Sequence, residues 1–385
     1  MNTARQLTIL TFCVAAFLAT ETSAGVLWSN LTGGAVDSSP TVENGVVYVG
    51  SDDGFLYALN ASTGQLIWKT NTGAAVDSSP TVVNGTVYVG ADNGLYAISA
   101  STGQILWKMS TVPVQGLAFD SSPTVGDGVV YVGAADGFYA LNATTGQILW
   151  KTSTVPVQGL AFDSSPTVVD GVVYVGAADG FYALNATTGQ ILWKTSTIPV
   201  QGLAFDSSPT VVDGVVYVGA ADGFYALNAT TGQILWKTVT APFPLPALPF
   251  DSSPAVLNGE IYVGSDAGFF ALDAATGKVD WTFNAGVAFD SSPALVDGVL
   301  YVGADNGSLY ALNAMTGQML FQTVTGGAID SSPAMVDSIV YVGSDDGRVY
   351  AIAAVAAVPE PATLALLGLG LAGIGFARRR TRSVH

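Results

Sequence analysis

Residues 153–195 read STVPVQGLAFDSSPTVVDGVVYVGAADGFYALNATTGQILWKT. The 43 residues before them (110–152) differ only in Gly126 for Val169, and the 43 after (196–238) only in Ile198 for Val155. Looser copies extend the pattern on both sides. A period of this length marks a chain built from one stacked unit, and it limits the fold before any single residue is considered.

The tetrapeptide Asp-Ser-Ser-Pro sets the register. It begins at Asp37, Asp77, Asp120, Asp163, Asp206, Asp251, Asp290 and Asp330, eight copies in steps of 40, 43, 43, 43, 45, 39 and 40 residues. Each unit predicts four short strands. In the copy starting at Asp163 these are Thr167-Val-Val, Val172-Val-Tyr-Val-Gly, Phe181-Tyr-Ala-Leu and Ile191-Leu-Trp-Lys. Asp170-Gly171, Asp179-Gly180 and Thr188-Gly189 separate them, and such turns between β-branched and aromatic runs signal hairpins. Four strands per unit make the blade of a β-propeller. The last unit stops at Val349-Tyr-Ala-Ile without a Trp strand, and the surplus Trp strand, Gly25-Val-Leu-Trp28, stands at the N-terminal end. An all-β, eight-bladed propeller follows, with the N-terminal strand completing the last blade and removing the open edge.

Ala271-Leu-Asp-Ala-Ala-Thr-Gly-Lys-Val-Asp-Trp281 resembles the A-x-D-x-x-T-G-K-x-x-W docking motif of the quinoprotein (PQQ-like) propeller repeat. The stretches 58–68, 140–150, 183–193 and 226–236 match with Asn for Asp and Gln for Lys. The stretch 97–107 carries Ser99, and 311–321 ends in Phe321. The resemblance covers nearly all of residues 26–352. It implies that Trp28, Trp68, Trp107, Trp150, Trp193, Trp236, Trp281 and Phe321 dock neighbouring blades; stacking on a cofactor is the other role open to them.

Residues 1–24 carry Arg5, an apolar run from Leu7 to Leu18 and a small-residue end at Ala24, the pattern of a secretory signal peptide cut before Gly25. Cys13, the one cysteine, lies inside that run, away from a lipoprotein attachment position, so the propeller (25–354) contains none and relies on packing. Setting aside Glu21 and Glu360 from 29 acids leaves 27; setting aside Arg5, Arg378, Arg379, Arg380 and Arg382 from 12 bases leaves 7; the propeller is near −20. That charge repels nucleic acid and anionic lipid and favours cations or basic partners.

The predicted topology puts the eight motif aspartates on one face with Asp53, Asp136, Asp179, Asp222, Asp266 and Asp346. The long crossovers 112–119, 155–162, 198–205 and the proline-rich 241–250 lie there too. Loops on a rigid scaffold are where propellers place function. The proline-rich crossover reads as a stiff spacer or a partner-binding ridge. Two readings of the motif aspartates stand. In one, each carboxylate accepts from the following serine N–H groups and shapes the strand entry, with proline tolerated on an inner edge that has no neighbour to bond. In the other, the ring of Asp37, Asp77, Asp120, Asp163, Asp206, Asp251, Asp290 and Asp330 holds a cation, calcium being the candidate. Neighbours ~8 Å apart would repel by roughly 0.5 kcal/mol in water, and all eight cannot converge on one calcium. Exposed aromatics on this face would be the cue for carbohydrate binding; of Phe119, Phe162, Phe205, Phe250 and Phe289, each just before a motif, most are expected to be packed.

The quinoprotein resemblance raises the question of an enzyme. Those dehydrogenases use a calcium-bound quinone, a catalytic Asp and commonly a vicinal disulfide, which this chain cannot form. His385, the single histidine, is the last residue, so the propeller has no histidine base. No catalytic residues and no PQQ are therefore expected.

At the C-terminal end, Pro359-Glu360-Pro361, the apolar run 362–377 and the Arg-rich 378–382 resemble a PEP-CTERM sorting signal of Gram-negative bacteria (355–385 overall). The run is about 16 residues, short for a permanent span, with its arginines on the cytoplasmic side. The resemblance implies an exosortase as processing partner, transient residence in the inner membrane through this helix, and release to the cell surface or matrix. A plain C-terminal anchor is the alternative. The expected protein is a monomeric, non-enzymatic binding or scaffold module of the extracellular or biofilm matrix, meeting polysaccharide or surface proteins and no nucleic acid. The rival functions are a PQQ/calcium-dependent dehydrogenase, an outer-membrane assembly scaffold and a carbohydrate-binding propeller.

Overall fold

In a computed structural model, the described residues are 25–110, 118–152, 161–195, 204–239 and 249–355. Residues 1–24, where a signal peptide is expected, the sorting residues Pro359, Glu360 and Pro361, and most of the long crossovers lie outside them. All regular structure among the described residues is strand, 32 strands in eight four-stranded antiparallel sheets.

The blade starting at Asp163 shows the unit. Its strands are Thr167–Val169, Val172–Ala177, Gly180–Asn185 and Ile191–Thr195. Asp170 and Gly171 both have positive φ (49° and 75°), as the two-residue turn between the first strands requires. In the last blade the order is Val26–Leu31, Arg348–Ala353, Ile339–Ser344, Ala334–Val336. The N-terminal strand thus supplies the outer strand of blade 8.

Each joint between blades has its own apolar cluster. Tyr131 and Phe138 of blade 3 meet Val173, Val175 and Tyr182 of blade 4, with Phe162 between them. Phe162 lies 5.6 Å from Phe138 and 5.5 Å from Tyr182 between ring centroids. Phe119, Phe205, Phe250 and Phe289, and Val36, Val76 and Ile329 at the equivalent positions, are likewise buried. The glycine of the second strand makes room for this plug. A Cβ on Gly176 would stand 2.1 Å from the Phe205 carbonyl oxygen of the next blade.

The docking tryptophans close the outer part of each joint. Trp193 Nε1 donates to the Ala229 carbonyl of the next blade at 3.0 Å, and its ring covers Gly232, whose φ is +70°. All seven tryptophans make this bond, at 2.8–3.1 Å. Trp28 makes it to Ala61, locking blade 8 to blade 1. Phe321 stands at the one joint whose next blade lacks the Thr-Gly hairpin; there the Tyr301 hydroxyl accepts instead from the Val355 N–H.

Candidate functional site

The first strands line the central channel, and the Asp-Ser-Ser-Pro segments lead into them. The serine N–H groups do not turn back to the aspartates, as the strand-entry reading expected. The N–H of each second serine donates to the second serine hydroxyl of the next blade: Ser39 to Ser79, Ser79 to Ser122, Ser122 to Ser165, Ser165 to Ser208, Ser208 to Ser253, Ser253 to Ser292, Ser292 to Ser332, and Ser332 back to Ser39. These eight bonds of 2.8–3.1 Å form a closed circle. The inner edge has neighbours after all. Thr41, Thr81, Thr124, Thr167 and Thr210 donate hydroxyls to the proline carbonyl of the following blade at 2.5–2.7 Å. Close spacing of adjacent blades, rather than an Asp-capped turn, orders the strand entry.

The carboxylates are thereby left free of backbone donors. On the same face stand the turns between second and third strands, each with two positions of different use. The outer one is Asp53, Asp136, Asp179, Asp222 or Asp346 in five blades. Asp136, Asp179 and Asp222 accept from Tyr139, Tyr182 and Tyr225 and pair with Lys151, Lys194 and Lys237, each at 2.7 Å. These acids face the rim, not the channel. The inner position is Asp52, Asp92, Asp266, Asp305 and Asp345 in blades 1, 2, 6, 7 and 8, and Ala135, Ala178 and Ala221 in blades 3 to 5. Of the inner set, the sequence reading named only Asp266. The signal was present as the residue just before the outer turn position, but only tertiary packing brings it beside the ring.

The result is a lopsided ring. Carboxylates are doubled over five blades and single over the three near-identical ones. Oxygens of Asp77, Asp92 and Asp120 all lie within 4.8 Å of one another, as do those of Asp251, Asp266 and Asp290. The neighbours are thus far closer than the ~8 Å estimated for an even ring. Both triads straddle a joint, between blades 2 and 3 and between blades 6 and 7, on opposite sides of the channel. Two described oxygens, Asp290 Oδ1 in the second triad and Asp346 Oδ1 outside both, are buried without a hydrogen-bond partner.

Electrostatics follow this crowding. Burial, then contact with Asp345 and the charges of Asp52, Asp345 and Asp330, push Asp37 up to about 7. Asp77 rises to about 7 through burial and then Asp52. Asp251, Asp290 and Asp330 reach about 6, from burial first and neighbouring aspartates second. Asp120, Asp163 and Asp206 are raised chiefly by burial. No basic group acts on any of these eight carboxyls.

The repeat-family model described as "Outer membrane protein assembly factor BamB" matches residues 14–154, 138–284 and 266–357. The chain belongs to this PQQ-repeat family. A second model, the PEP-CTERM protein-sorting motif, matches residues 357–380. The motif marks the protein for export in a Gram-negative bacterium and for recognition by an exosortase. No curated protein matches the sequence. Among solved structures, BamB from Moraxella catarrhalis is similar at 21% identity and TM-score 0.71, over 86% of this chain and 99% of that one. The computationally designed Ika8 protein gives 22% and 0.69, again over 86% and 99%. Quinohemoprotein alcohol dehydrogenase from Comamonas testosteroni gives 19% and 0.72, over 88% of this chain and 78% of that one. At these identities the likeness is one of fold.

Proposed function

We propose that this PQQ-repeat propeller is a non-enzymatic binding or scaffold module of the bacterial surface or extracellular matrix, working through its carboxylate-lined face. The observation that carries this reading is the chemistry of that face. It presents carboxylates without a partnered base, and serine hydroxyls that already accept hydrogen bonds around the circle. Three consecutive blades present the same side chains, which suits repeated weak contacts with a polymer or with basic surface proteins better than a single asymmetric transition state.

The ring is a poor seat for the quinone of the dehydrogenases. That cofactor is a tricarboxylate, and the propeller's Lys151, Lys194 and Lys237 are held outward by Asp136, Asp179 and Asp222. A cation is the better match for the two triads, since three oxygens within 4.8 Å, joined in the triad of Asp251, Asp266 and Asp290 by one unpartnered buried oxygen, suit a hard divalent ion completed by water.

The test is calorimetric titration of the purified protein, made in a host lacking quinone synthesis. The titrants are PQQ with calcium, calcium alone, and acidic or neutral matrix polysaccharide. Calcium or polysaccharide binding without PQQ binding is the expected pattern. Micromolar PQQ binding with quinone-dependent dye reduction would replace the module by an enzyme. Co-purification with a barrel-assembly complex would favour the assembly scaffold.

A further inference from the structure

Both chain ends leave the propeller on the same face. The last described strand, Arg348–Ala353, starts beside the turn that carries Asp345 and runs away from the carboxylate ring. At its far end the Ala353 N–H donates to the Gly25 carbonyl and the Ala354 N–H to the Ser338 carbonyl in the turn between first and second strands. Val26 is paired with Ile352. Gly25 and Val355 thus sit together on the face opposite the ring. The apolar run 362–377 begins only six residues (356–361) after the last described residue. Six residues reach at most about 20 Å.

The rim of that same face carries exposed aliphatic side chains beside its polar Thr-Gly hairpins. The fourth strand of each blade enters from it, and a bulge lies at the entry. In blade 4, Ala183 pairs with Trp193 and Leu184 with Ile191, so Leu192 has no partner. Ile191 and Leu192 are 45% and 50% exposed. The same exposed aliphatic pair recurs in seven blades; in blade 6 it is Val279 followed by Asp280. A repeated ring of half-exposed large aliphatics exceeds the scattered apolar exposure of an ordinary surface and marks a contact face.

We propose that, while the sorting tail is inserted, the propeller lies with this terminus face and its aliphatic rim on the bilayer that holds the tail, so that the carboxylate ring points away from the membrane. The occupant is fixed by where the chain ends. Turning the ring towards the bilayer would require the leash to climb the blade edge. A six-residue strand is about 20 Å tall, which uses the whole reach. The arrangement leaves the ring accessible before release from the membrane, and it goes beyond the module reading because it holds whatever ligand the ring takes.

The experiment uses the full chain with Cys13→Ser in nanodiscs of phosphatidylcholine, and one introduced cysteine carrying a fluorophore. Thr187→Cys labels an exposed hairpin on the terminus face and Asn71→Cys an exposed strand end on the ring face. Quenching by a headgroup-labelled lipid is expected to be at least threefold stronger at position 187 than at 71. Replacing Ile148, Leu149, Ile191, Leu192, Ile234 and Leu235 by serine is expected to cut quenching at 187 by half or more while circular dichroism stays that of the parent. Equal quenching at the two positions, or stronger quenching at 71, overturns the proposal. So does a serine variant that quenches like the parent, or a doubled mass with both labels shielded, which would assign the rim to a second copy.

Discussion

The Thr-Gly glycine has two constraints at once. Gly232 needs its positive φ to close the hairpin, and the Trp193 ring of the preceding blade occupies the space of a side chain: a Cβ would stand 2.5 Å from Trp193 Cε3. Gly232→Ala therefore strains the backbone and displaces the ring. A loss of about 2–5 kcal/mol is expected, from left-handed strain of roughly 1–2 plus overpacking of roughly 1–3. Trp193→Phe keeps most of the packing and removes one hydrogen bond to Ala229, with an expected loss of about 0.5–1.5 kcal/mol. Denaturant melts of the two variants check the order; an alanine milder than the phenylalanine would contradict the account. The docking motif can be read from sequence because its Asn, Thr and Gly positions, as at Asn185, Thr188 and Gly189, serve a local turn. The partner that makes it a docking motif stands some 36 residues away, as Trp193 and Ala229 do.

At the scale of elements, closure depends on one strand. Val26–Leu31 pairs with Arg348–Ala353 and brings Trp28 against Tyr341 and Ala61. Deleting residues 25–31 removes that outer strand and uncovers the edge of blade 8. Loss of the Trp28 contacts alone is expected to cost about 3–5 kcal/mol. At about 2–4 °C per kcal/mol, the melting temperature should fall by ~10 °C or more, with light scattering reporting association through the free edge. A truncated chain that melts like the parent would show that three strands suffice. The serine circle is the inner counterpart. Ser208→Ala strands the Ser165 N–H, and about 1–3 kcal/mol is expected for a donor left without a partner. Ser207→Thr is unsuitable as a control because Ser207 is itself buried and an added methyl would overpack it; Thr187→Ala, on the exposed hairpin, is the suitable one.

For the whole molecule the ring's charge sets the pH response. Each ring carboxyl binds its proton more tightly in the folded protein than in the unfolded chain, where the ordinary value is near 4. Between about pH 4 and pH 7 the folded state thus holds more protons, and stability falls as pH rises through the values of about 6 for Asp251, Asp290 and Asp330 and about 7 for Asp37 and Asp77. Among the described carboxyls with a resolved shift, only Asp273, held low by the Thr276 hydroxyl, opposes this. In chelator the melting temperature is expected to be higher at pH 5 than at pH 8. Asp345→Asn should raise it at pH 8 and leave it nearly unchanged at pH 4.5, since it relieves Asp37 only when both are charged. A flat profile would mean that the ring is better solvated than its burial implies. Millimolar calcium at pH 8 is expected to recover part of the loss if the triads take the ion.

The blade number, the four strands per blade, the closure by the N-terminal strand and the sorting motif were all determined by the sequence itself. Each rests on local pattern: a period near 40 residues, Asp-Gly and Thr-Gly turns, and a Trp strand missing at one end and surplus at the other. How the aspartates are grouped was decided only in the tertiary structure. Asp-Ser-Ser-Pro reads locally as a side chain capping its own turn, yet the serine N–H groups reach across to the next blade and leave the carboxylates to one another. Asp92 lies 15 positions after Asp77 and 28 before Asp120, and only the approach of blades 2 and 3 puts their oxygens within 4.8 Å. Alternation and turn chemistry act over a few residues and are written in the chain in order. Contacts across a joint depend on how far one blade is turned and how closely it stands to the next, which side-chain packing sets.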